Sequence, residues 1–599
     1  MHLNRFLTAL STLTLLLLPL TSAATLHKRK LRSRQLPDPA TNVTTIQSPN
    51  GITIRYKEPG LSGVCETTPG VNSYSGYVDL APDVHVFFYF FEARKDPASA
   101  PITAWLNGGP GSDSMIGLFQ ELGPCNVSFG PDYHTEVNPY SWSEVSNMIF
   151  ISQPIGVGFS YGNEAPGSLT SYTGVFQNAS VAPADGRYAV INATRYDTSA
   201  LAAVAVWEVL QGFYSLLPQL DPSVGAGTTP KQFNLWTESY GGHYGPIFFD
   251  YFESQNAQIA NGSRTGTALN FNTLGIGNGI MDELIQAPYY PEFAVNNTYG
   301  IKAINDTVYS YAVFAYYMVN GCRDRILACR TAGTEGLAAQ AICDEAGNMC
   351  RDNVEALYYN YGGRGVYDIR HPYRDPTPPD NLIKFLNRPG TQQALGVDLN
   401  YTSYSNNDVY FAFQARGEYV YGTFLRALGR VLDSGVRVVL YYGDADYICN
   451  WFGGEAVSLQ VEFSHATDFR AAGYVPFTVG GREYGEVREA GNFSFVRIYE
   501  AGHEVPFYQP EASLELFRRA IMGQRMVDGV GMVGPGLATN GTANATHTEA
   551  FVPLPTTPVP ITQTTFMEVS GTSGPDPTGT FAPTTFDPAT VTAATSSRL

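Results

Sequence analysis

The chain contains seven short apolar runs that predict buried β-strands, because each is rich in β-branched and aromatic residues and is bounded by turn-forming residues. The runs are 74–80, 84–91, 102–107, 147–153, 269–277, 436–442 and 495–500. Stretches with helical spacing, such as 198–217, lie between several of them. Apolar strands that alternate with helices are typical of a mostly parallel sheet with helices on both faces, so the pattern predicts an α/β fold.

Two segments depart from this pattern. Residues 281–400 are aromatic-rich and helical, with a loop full of Pro, Tyr and Arg, and are predicted to form an insertion that caps the sheet. From residue 534 to residue 599 the composition is dominated by Thr, Pro, Ser and Gly, which predicts a disordered, O-glycosylated tail. The folded domain is therefore predicted to span residues 46–533.

The N-terminus predicts export. Residues 1–23 combine a basic start, an apolar run too short for a membrane span and a small-residue cleavage site, as in a signal peptide. The basic stretch that follows makes residues 24–45 either a short propeptide or a disordered basic arm. No other segment is apolar for the length that a transmembrane helix requires. We expect a secreted protein, with a cell wall or a vacuole-like acidic compartment as the alternative.

Glycosylation sequons also indicate secretion. Eleven N-x-S/T acceptors are present, at Asn42, Asn126, Asn178, Asn192, Asn261, Asn296, Asn305, Asn400, Asn492, Asn540 and Asn544. The formal net charge of −18 and the pI near 4.9 make nucleic acid an improbable partner, because no long basic stretch could neutralise phosphates. A hydrophobic content of 44% is enough for a large core.

Seven cysteines in an oxidising compartment leave one thiol unpaired. Four of them lie within residues 322–350, where nested bridges Cys322–Cys350 and Cys329–Cys343 would suit a helical hairpin and leave Cys65 with Cys125. Other pairings remain open, because connectivity does not follow from sequence alone. A zinc site is the competing interpretation, but the spacings are not CxxC and no histidine is near, so no metal is expected.

The segment WTESYGGHYGP, residues 236–246, follows an apolar run and places Ser239 before two glycines. Strand, serine and helix start in this order are typical of a nucleophile elbow, in which a tight turn raises the serine hydroxyl above the sheet. The usual glycine two residues before the serine is Thr237 here, so an ordinary turn is the alternative.

Candidate partners for Ser239 follow downstream, in the order acid and then histidine. The strand 436–442 is followed by Asp444 and Asp446, and the strand 495–500 is followed by His503. Because the carboxyl ends of parallel strands meet at one edge of a sheet, these side chains are predicted to lie together. A loop histidine satisfied by its neighbours is the alternative for His503.

Six segments of the chain resemble the signature segments of the serine carboxypeptidases, in family order. They are WLNGGPGSDSMIGLFQELGP (105–124), QPIGVGFSYG (153–162), TESYGGHYGP (237–246), GIGNGIMD (275–282), GDADYICNW (443–451) and AGHEVPF (501–507). The resemblance covers roughly residues 70–520. It implies an α/β-hydrolase fold and hydrolysis of the C-terminal peptide bond through an acyl-enzyme, without a cofactor, on peptide and protein C-termini.

The resemblance also assigns roles to residues. It implies that Ser239 is the nucleophile, His503 the general base and acid, and Asp446 rather than Asp444 the orienting carboxylate. The oxyanion hole would be formed by the backbone N–H groups of Gly109 and Tyr240.

A second set of residues would bind the free carboxylate of the substrate: Asn107, the Gly108 N–H, Glu121 and Glu238. Two neighbouring carboxyls in a desolvated site share a proton, so a protonated glutamate can donate to the substrate carboxylate. As the pH rises both glutamates ionise and repel it. We therefore expect peptidase activity at acidic pH.

Three positions bear on how far the family pattern holds. Ser112 replaces a cysteine that often forms a disulfide in the family. Cys449 matches a family cysteine that stays free near the site, which predicts sensitivity to mercurials, although an inert buried thiol is equally compatible. Glu504 follows the histidine where a well-known member of the family has an apolar residue, and it would favour basic C-terminal residues or simply be solvated.

Two other functions fit the same scaffold. One is a family acyltransferase or esterase, which the retained carboxylate-binding set argues against. The other is a catalytically silent surface glycoprotein, which the intact triad argues against.

Overall fold

The computed structural model describes residues 36–48, 51–128, 132–170, 176–225, 231–373, 378–379, 381–402 and 406–554. The predicted signal peptide and the tail beyond residue 554 lie outside the described residues. Seventeen strands are present in this part of the chain: β1 Thr44–Gln47, β2 Thr53–Lys57, β3 Ser73–Ala81, β4 Val84–Phe91, β5 Ile102–Leu106, β6 Cys125–Val127, β7 Thr135–Val137, β8 Asn147–Ile151, β9 Asn163–Leu169, β10 Phe176–Asn178, β11 Gly186–Val190, β12 Gln232–Glu238, β13 Asn270–Gly277, β14 Arg437–Gly443, β15 Val475–Val479, β16 Arg482–Ala490 and β17 Phe493–Ile498.

Seventeen α-helices accompany these strands in the same residues: α1 Ser199–Leu220, α2 Pro222–Gly225, α3 Gly241–Ala260, α4 Glu283–Gln286, α5 Tyr289–Val295, α6 Asp306–Tyr317, α7 Cys322–Ala332, α8 Leu337–Cys350, α9 Ala356–Tyr361, α10 Leu382–Leu386, α11 Pro389–Leu395, α12 Asn407–Arg416, α13 Phe424–Asp433, α14 Trp451–Gln460, α15 Ala466–Ala471, α16 Val505–Tyr508 and α17 Pro510–Ile521. Two short π-helical turns, Gly117–Glu121 and Arg351–Glu355, add to them.

Twelve strands form one sheet in the order β1-β2-β3-β4-β8-β5-β12-β13-β14-β17-β16-β15. Six neighbouring strands at the centre of the sheet run parallel: β8, β5, β12, β13, β14 and β17. The strands on either side of them pair antiparallel. The prediction of a mostly parallel central sheet is therefore confirmed, and antiparallel strands extend it at both edges. Short connections join β1 to β2, β3 to β4, β15 to β16 and β16 to β17, and they build hairpins rather than crossovers.

The parallel strands are buried on both faces, which explains their continuous apolar sequences. In β14, Val438 and Leu440 join the core formed with helices α1 and α3, while Val439 and Tyr441 join the core on the opposite face. Helix α17 covers that second face, where the Phe517 ring stacks on the Trp142 ring within the core. The sheet is thus the middle layer of three.

Each of the seven predicted strands is confirmed to within two residues at its start, and the predicted helix 198–217 is α1. Among the described residues, α1 is the one helix long and apolar enough to cross a membrane. Its buried residues face the sheet instead, which is the position of a core helix.

The stretch between β13 and β14 is helical, as predicted for 281–400, and continues through α12 and α13 before the sheet resumes. Three disulfides join Cys65 to Cys125, Cys322 to Cys350 and Cys329 to Cys343. The predicted nested pairing is therefore confirmed: two bridges link α7 to α8. Cys449 is free and buried.

Both predicted terminal segments contact the domain where the structure describes them. Residues 44–47, within the predicted arm and the start of the domain, form β1 and pair with β2. Residues 534–554, predicted as disordered tail, include Thr542, which exchanges backbone hydrogen bonds with Tyr474. This described part of the predicted tail is therefore hydrogen-bonded to the domain, which composition did not reveal, because composition counts side chains whereas this segment is held through its backbone.

Candidate active site

Ser239 occupies a strained turn between β12 and α3. Its φ angle is +62°, in the left-handed region that non-glycine residues rarely adopt. Its N–H donates to the Gly277 carbonyl and its carbonyl accepts from the Ile280 N–H, both at 3.0 Å, so neighbouring backbone holds the turn. A side chain at Gly241 would lie 2.5 Å from Thr237, which shows why glycine follows a threonine at this elbow. The side chain of Ser239 remains partly exposed.

Asp446 and His503 are hydrogen-bonded at the same edge of the sheet. His503 Nδ1 lies 2.8 Å from Asp446 Oδ2, and that oxygen also accepts from Asn278 Nδ2 at 2.9 Å and from the Cys449 N–H at 3.2 Å. Asp446 is fully buried, and burial raises the pKa of its carboxyl, although His503 opposes this. The carboxylate therefore fixes the orientation of the imidazole through its Nδ1 atom.

Cys449 lies close both to the hydroxyl of Ser239 and to the pair of Asp446 and His503. Ser239 Oγ is 4.0 Å from Cys449 Sγ, and the ligating atoms of Asp446, Cys449 and His503 all lie within 4.8 Å of one another. Among the described residues, Ser239 and His503 form no direct hydrogen bond. Such bonds are often long before substrate binds.

The other aspartate of the motif, Asp444, points elsewhere. Its Oδ1 accepts from Tyr299 Oη at 2.7 Å and its Oδ2 lies 3.6 Å from Arg497. The structure therefore brings Asp446, and not Asp444, to His503.

Gly108 packs against the nucleophile turn, and Gly109 follows it in the chain. A Cβ atom at Gly108 would lie 2.3 Å from the Tyr240 nitrogen and 2.8 Å from Ser239 Cβ, so this contact requires glycine. Gly109 has a φ of +104°. Within the described residues, neither the Gly109 N–H nor the Tyr240 N–H has an acceptor. Tyr419 contacts both residues, since its Oη donates to the Gly109 carbonyl at 3.1 Å and its ring lies 4.9 Å from that of Tyr240.

A buried cluster of one amide and two carboxyls adjoins Ser239. Asn107 Nδ2 donates to Glu121 Oε1 and to Glu238 Oε1, at 3.2 Å each. Asn107 Oδ1 accepts from Trp105 Nε1 at 2.8 Å and from the Gly117 N–H at 3.0 Å, which fixes the amide orientation. The π-helical turn 117–121 carries Glu121, and β12 ends at Glu238.

The two carboxyls of this cluster and a third one near it favour the neutral form. Burial raises the pKa of Glu121. The pKa of Glu238 is raised well above its ordinary range, first by burial and then by the charge of Glu121. Burial, followed by Glu121, does the same to Glu504, whose Oε2 has no hydrogen-bond partner among the described residues. The predicted substrate-binding residues Asn107, Gly108, Glu121, Glu238, Cys449 and Glu504 thus lie around one site.

Sequence reasoning gave no role to three residues that support this site. Asn278 binds Asp446, Tyr419 contacts both predicted oxyanion residues, and the Tyr367 carbonyl accepts from the His503 N–H at 2.8 Å. Only Asn278 carried a signal, since it follows β13, the strand between those that end at Ser239 and Asp446.

Comparisons with known proteins identify the family of this chain. A family model described as serine carboxypeptidase matches residues 59–523. Carboxypeptidase S1 homolog A of Arthroderma otae is 38% identical over 562 residues, which are 87% of this chain and 84% of the relative. Carboxypeptidase S1 of Penicillium janthinellum is 40% identical over 460 residues, which are 77% of this chain and 97% of the relative.

A solved structure has the same fold. The crystal structure of Kex1Δp, a prohormone-processing carboxypeptidase from Saccharomyces cerevisiae, superposes with a TM-score of 0.59 at 21% identity and covers 83% of this chain and 100% of its own. The α/β-hydrolase fold is confirmed. The chain belongs to the serine carboxypeptidase family and is a serine-type carboxypeptidase, as its signature segments predict.

Proposed function

We propose that the protein is secreted and releases C-terminal amino acids from peptides and proteins through an acyl-enzyme, with best activity at acidic pH. The observation that carries this proposal is the buried cluster of Asn107, Glu121 and Glu238 beside Ser239. An endopeptidase or a simple esterase has no need for buried, neutral carboxyls next to its nucleophile, whereas an exopeptidase must recognise a free carboxylate.

In the proposed mechanism Ser239 attacks the carbonyl of the last peptide bond while His503 accepts its proton. Asp446 holds His503 through the 2.8 Å contact at Nδ1, so that Nε2 faces the serine, and it stabilises the imidazolium that forms. His503 then donates the proton to the leaving amine. Water repeats the sequence on the acyl-enzyme. In the free enzyme Ser239 Oγ contacts Cys449 Sγ, so the hydroxyl must turn towards His503 when substrate binds.

The N–H groups of Gly109 and Tyr240 would bind the oxyanion of the tetrahedral intermediate. Both groups lack an acceptor among the described residues, which supports this role. Removing one such donor typically costs about 3 kcal/mol of transition-state stabilisation.

Recognition of the substrate carboxylate would depend on protons held by the glutamates. Because the pKa of Glu238 lies well above its ordinary range, this side chain is neutral at acidic pH and can donate a hydrogen bond, together with Asn107 and the Gly108 N–H. As the pH rises through the raised pKa, Glu238 ionises and repels the substrate. The affinity for peptides should therefore fall towards neutral pH.

Cys449 and Glu504 would shape the same site. Burial keeps Cys449 a neutral thiol by raising its pKa, and its position beside Ser239 supports the predicted inhibition by mercurials. Glu504 would contact the C-terminal side chain of the substrate and favour basic residues at higher pH, where it ionises.

One comparison tests the proposed function directly. A blocked dipeptide and its C-terminal amide are assayed at about pH 4.5 and about pH 7. We expect the acid to be the better substrate at the lower pH and to lose this advantage at the higher one. Equal hydrolysis of the two at both pH values would overturn the proposal of carboxylate recognition.

Replacing Glu238 with glutamine should flatten the pH dependence of KM for peptides. Glutamine keeps a neutral hydrogen-bonding group but cannot ionise. Wild-type KM should rise roughly tenfold as one hydrogen bond to the carboxylate is lost, whereas the variant should show a much smaller rise. The measurement is KM against pH for a blocked dipeptide.

Two controls belong to this experiment. Glu489 is a buried glutamate whose pKa is likewise raised by burial, but it pairs with Arg437 at 2.9 Å, so Glu489→Gln should leave the profile unchanged. The C-terminal amide should show little pH dependence of KM even with the wild-type enzyme. A wild-type profile in Glu238→Gln would rule out the ionisation mechanism and leave the triad untouched.

Secretion as a glycoprotein predicts unequal use of the sequons. Asn492 uses its amide to donate to the Leu432 carbonyl at 2.9 Å and to the Val436 carbonyl at 2.8 Å, so a glycan there would break a hydrogen bond. Asn261, at the exposed end of α3, has no such donor bond among the described residues. Peptide mapping of the secreted protein should find a glycan on Asn261 and none on Asn492. A fully occupied Asn492 would contradict this.

A further inference from the structure

Residues 537–552, which we call the C-terminal strap, lie beyond the family match that ends at residue 523. The strap begins where the Gly491 N–H donates to the Leu537 carbonyl at 2.9 Å. It continues along the domain with the backbone pair between Thr542 and Tyr474, and the Glu549 N–H donates to the Thr298 carbonyl at 2.8 Å. The strap is therefore fixed to the domain along its length by its own backbone.

Three arginines of the domain donate to strap carbonyls. Arg488 donates to Ala543 at 2.6 Å, Arg497 to His547 at 2.8 Å, and Arg364 to Val552 at 3.0 Å.

The exposed fractions of these arginines are 4%, 0% and 6%, in the same order. A buried guanidinium group that loses an acceptor is costly, because its N–H groups cannot reach water instead. The three buried arginines therefore depend on the strap carbonyls as hydrogen-bond acceptors.

Arg364 differs from the other two because it forms a hydrogen bond across a loop that contacts active-site residues. Its second terminal nitrogen donates to the Ile369 carbonyl at 2.9 Å, across the loop 364–372. The Ile369 N–H in turn donates to the Ala445 carbonyl at 2.8 Å, next to Asp446. One guanidinium group thus connects the strap to the base of this loop.

The same loop binds the segments that carry the acid and the histidine. The Val366 carbonyl accepts from the N–H groups of Tyr447 and Ile448 at 3.1 Å, and the Tyr367 carbonyl accepts from the His503 N–H at 2.8 Å. The rings of Tyr367 and His503 are 4.9 Å apart. The position of His503 therefore depends on the loop.

We propose that the C-terminal strap holds the catalytic histidine in place, and that Arg364 is the positioning residue through which it acts. The inference rests on the assignment of His503 as the general base. Removal of the Arg364 guanidinium releases the loop from the strap, and His503 loses the fixed carbonyl that orients its backbone. A small misplacement of a catalytic group lowers kcat more than it lowers substrate affinity.

The test compares Arg364→Met with Arg488→Met. Both variants remove a buried guanidinium group that donates to a strap carbonyl, but Arg488 makes its other backbone contact with Arg470, remote from the loop. We expect Arg364→Met to lower kcat by about tenfold with KM within about twofold of wild type. Arg488→Met should lower Tm without this loss of kcat. Arg364→Lys, which can reach one carbonyl, should recover part of the loss.

A fluorophosphonate probe supplies a second readout. The rate at which it modifies Ser239 depends on His503 but not on recognition of the substrate carboxylate, so it should fall in Arg364→Met in proportion to kcat. If the probe modified another serine in the wild-type enzyme, the assignment of Ser239 as the nucleophile would be wrong. That outcome would not by itself contradict the strap proposal. Equal losses of kcat in Arg364→Met and Arg488→Met, or none in either, would overturn the proposal.

Cleavage of the folded protein avoids any folding defect. A protease site introduced at residues 534–536 allows the strap to be cut from the domain after purification, and a chain that ends at residue 554 is the control. The cut enzyme should lose kcat after brief exposure to mild denaturant, while the control keeps it. Full activity of the enzyme from which the strap has been separated would refute the positioning role.

Discussion

Replacing Ser239 with alanine should abolish hydrolysis of peptides and esters alike. The loss in kcat is expected to be about 10⁶-fold, as when the nucleophile of a serine protease triad is removed. Alanine adopts the positive φ of this turn at the same cost as serine, because both side chains carry a Cβ atom. The fold and Tm should therefore be unchanged, and the loss is measured with a blocked dipeptide and an ester.

The matched control is Ser458→Ala, the same change at a buried serine of α14, whose hydroxyl donates to the Glu455 carbonyl of its own helix and to no other group that the structure describes. This variant should keep wild-type kcat. A fluorophosphonate probe should label Ser239 in the wild type and in Ser458→Ala, and should label nothing in Ser239→Ala. Residual activity of the Ser239 variant within about tenfold of wild type would remove Ser239 from the mechanism.

The arrangement of the site could be predicted because three motif residues follow strands of one parallel sheet. Ser239 follows β12, Asp446 follows β14 and His503 follows β17, and β12, β13, β14 and β17 are consecutive in the sheet. Apolar runs identified these strands, and parallel strands end at the same edge. The position of each motif after one of these strands was therefore enough to predict that the three side chains lie close together.

The supporting contacts could not be predicted in the same way. Tyr419 reaches the Gly109 carbonyl across 310 positions of sequence, and Tyr367 lies in a loop without periodic pattern. The hydrogen bond from His503 ends on the backbone of Tyr367, which carries no side-chain signal at all. Such contacts depend on how the helical insertion folds back over the sheet.

Strand β16 was missed for a different reason. Its sequence, REYGEVREA, contains charged residues that argue against a buried strand. Glu489 is nevertheless fully buried, because Arg437 pairs with it at 2.9 Å and Ser494 donates to it at 3.1 Å. The arginine comes from β14, about fifty residues away, so the pattern within β16 could not reveal that its charge is compensated.

Asp446→Asn should lower kcat by about 10⁴-fold while KM and Tm change little, since an amide of the same size favours the wrong tautomer of His503. In the wild type Asp446 accepts from His503, from Asn278 and from the Cys449 N–H through one oxygen. An amide nitrogen in that place can accept none of these bonds, and an amide oxygen there keeps them without the negative charge that stabilises the imidazolium. The measurement is kcat for a blocked dipeptide across the acidic pH range.

The neighbouring aspartate provides the control. Asp444 is equally buried, but it accepts from Tyr299 and faces Arg497, whose side chain is fully buried. Asp444→Asn should therefore leave Arg497 with less compensation and destabilise the protein by roughly 3 kcal/mol, while kcat stays within about tenfold of wild type. Thermal unfolding and kinetics of Asp444→Asn and Asp446→Asn separate the role in stability from the role in catalysis. If Asp444→Asn lost activity and Asp446→Asn retained it, the orienting acid would be Asp444, and the contact between Asp446 and His503 would not be the one used in catalysis.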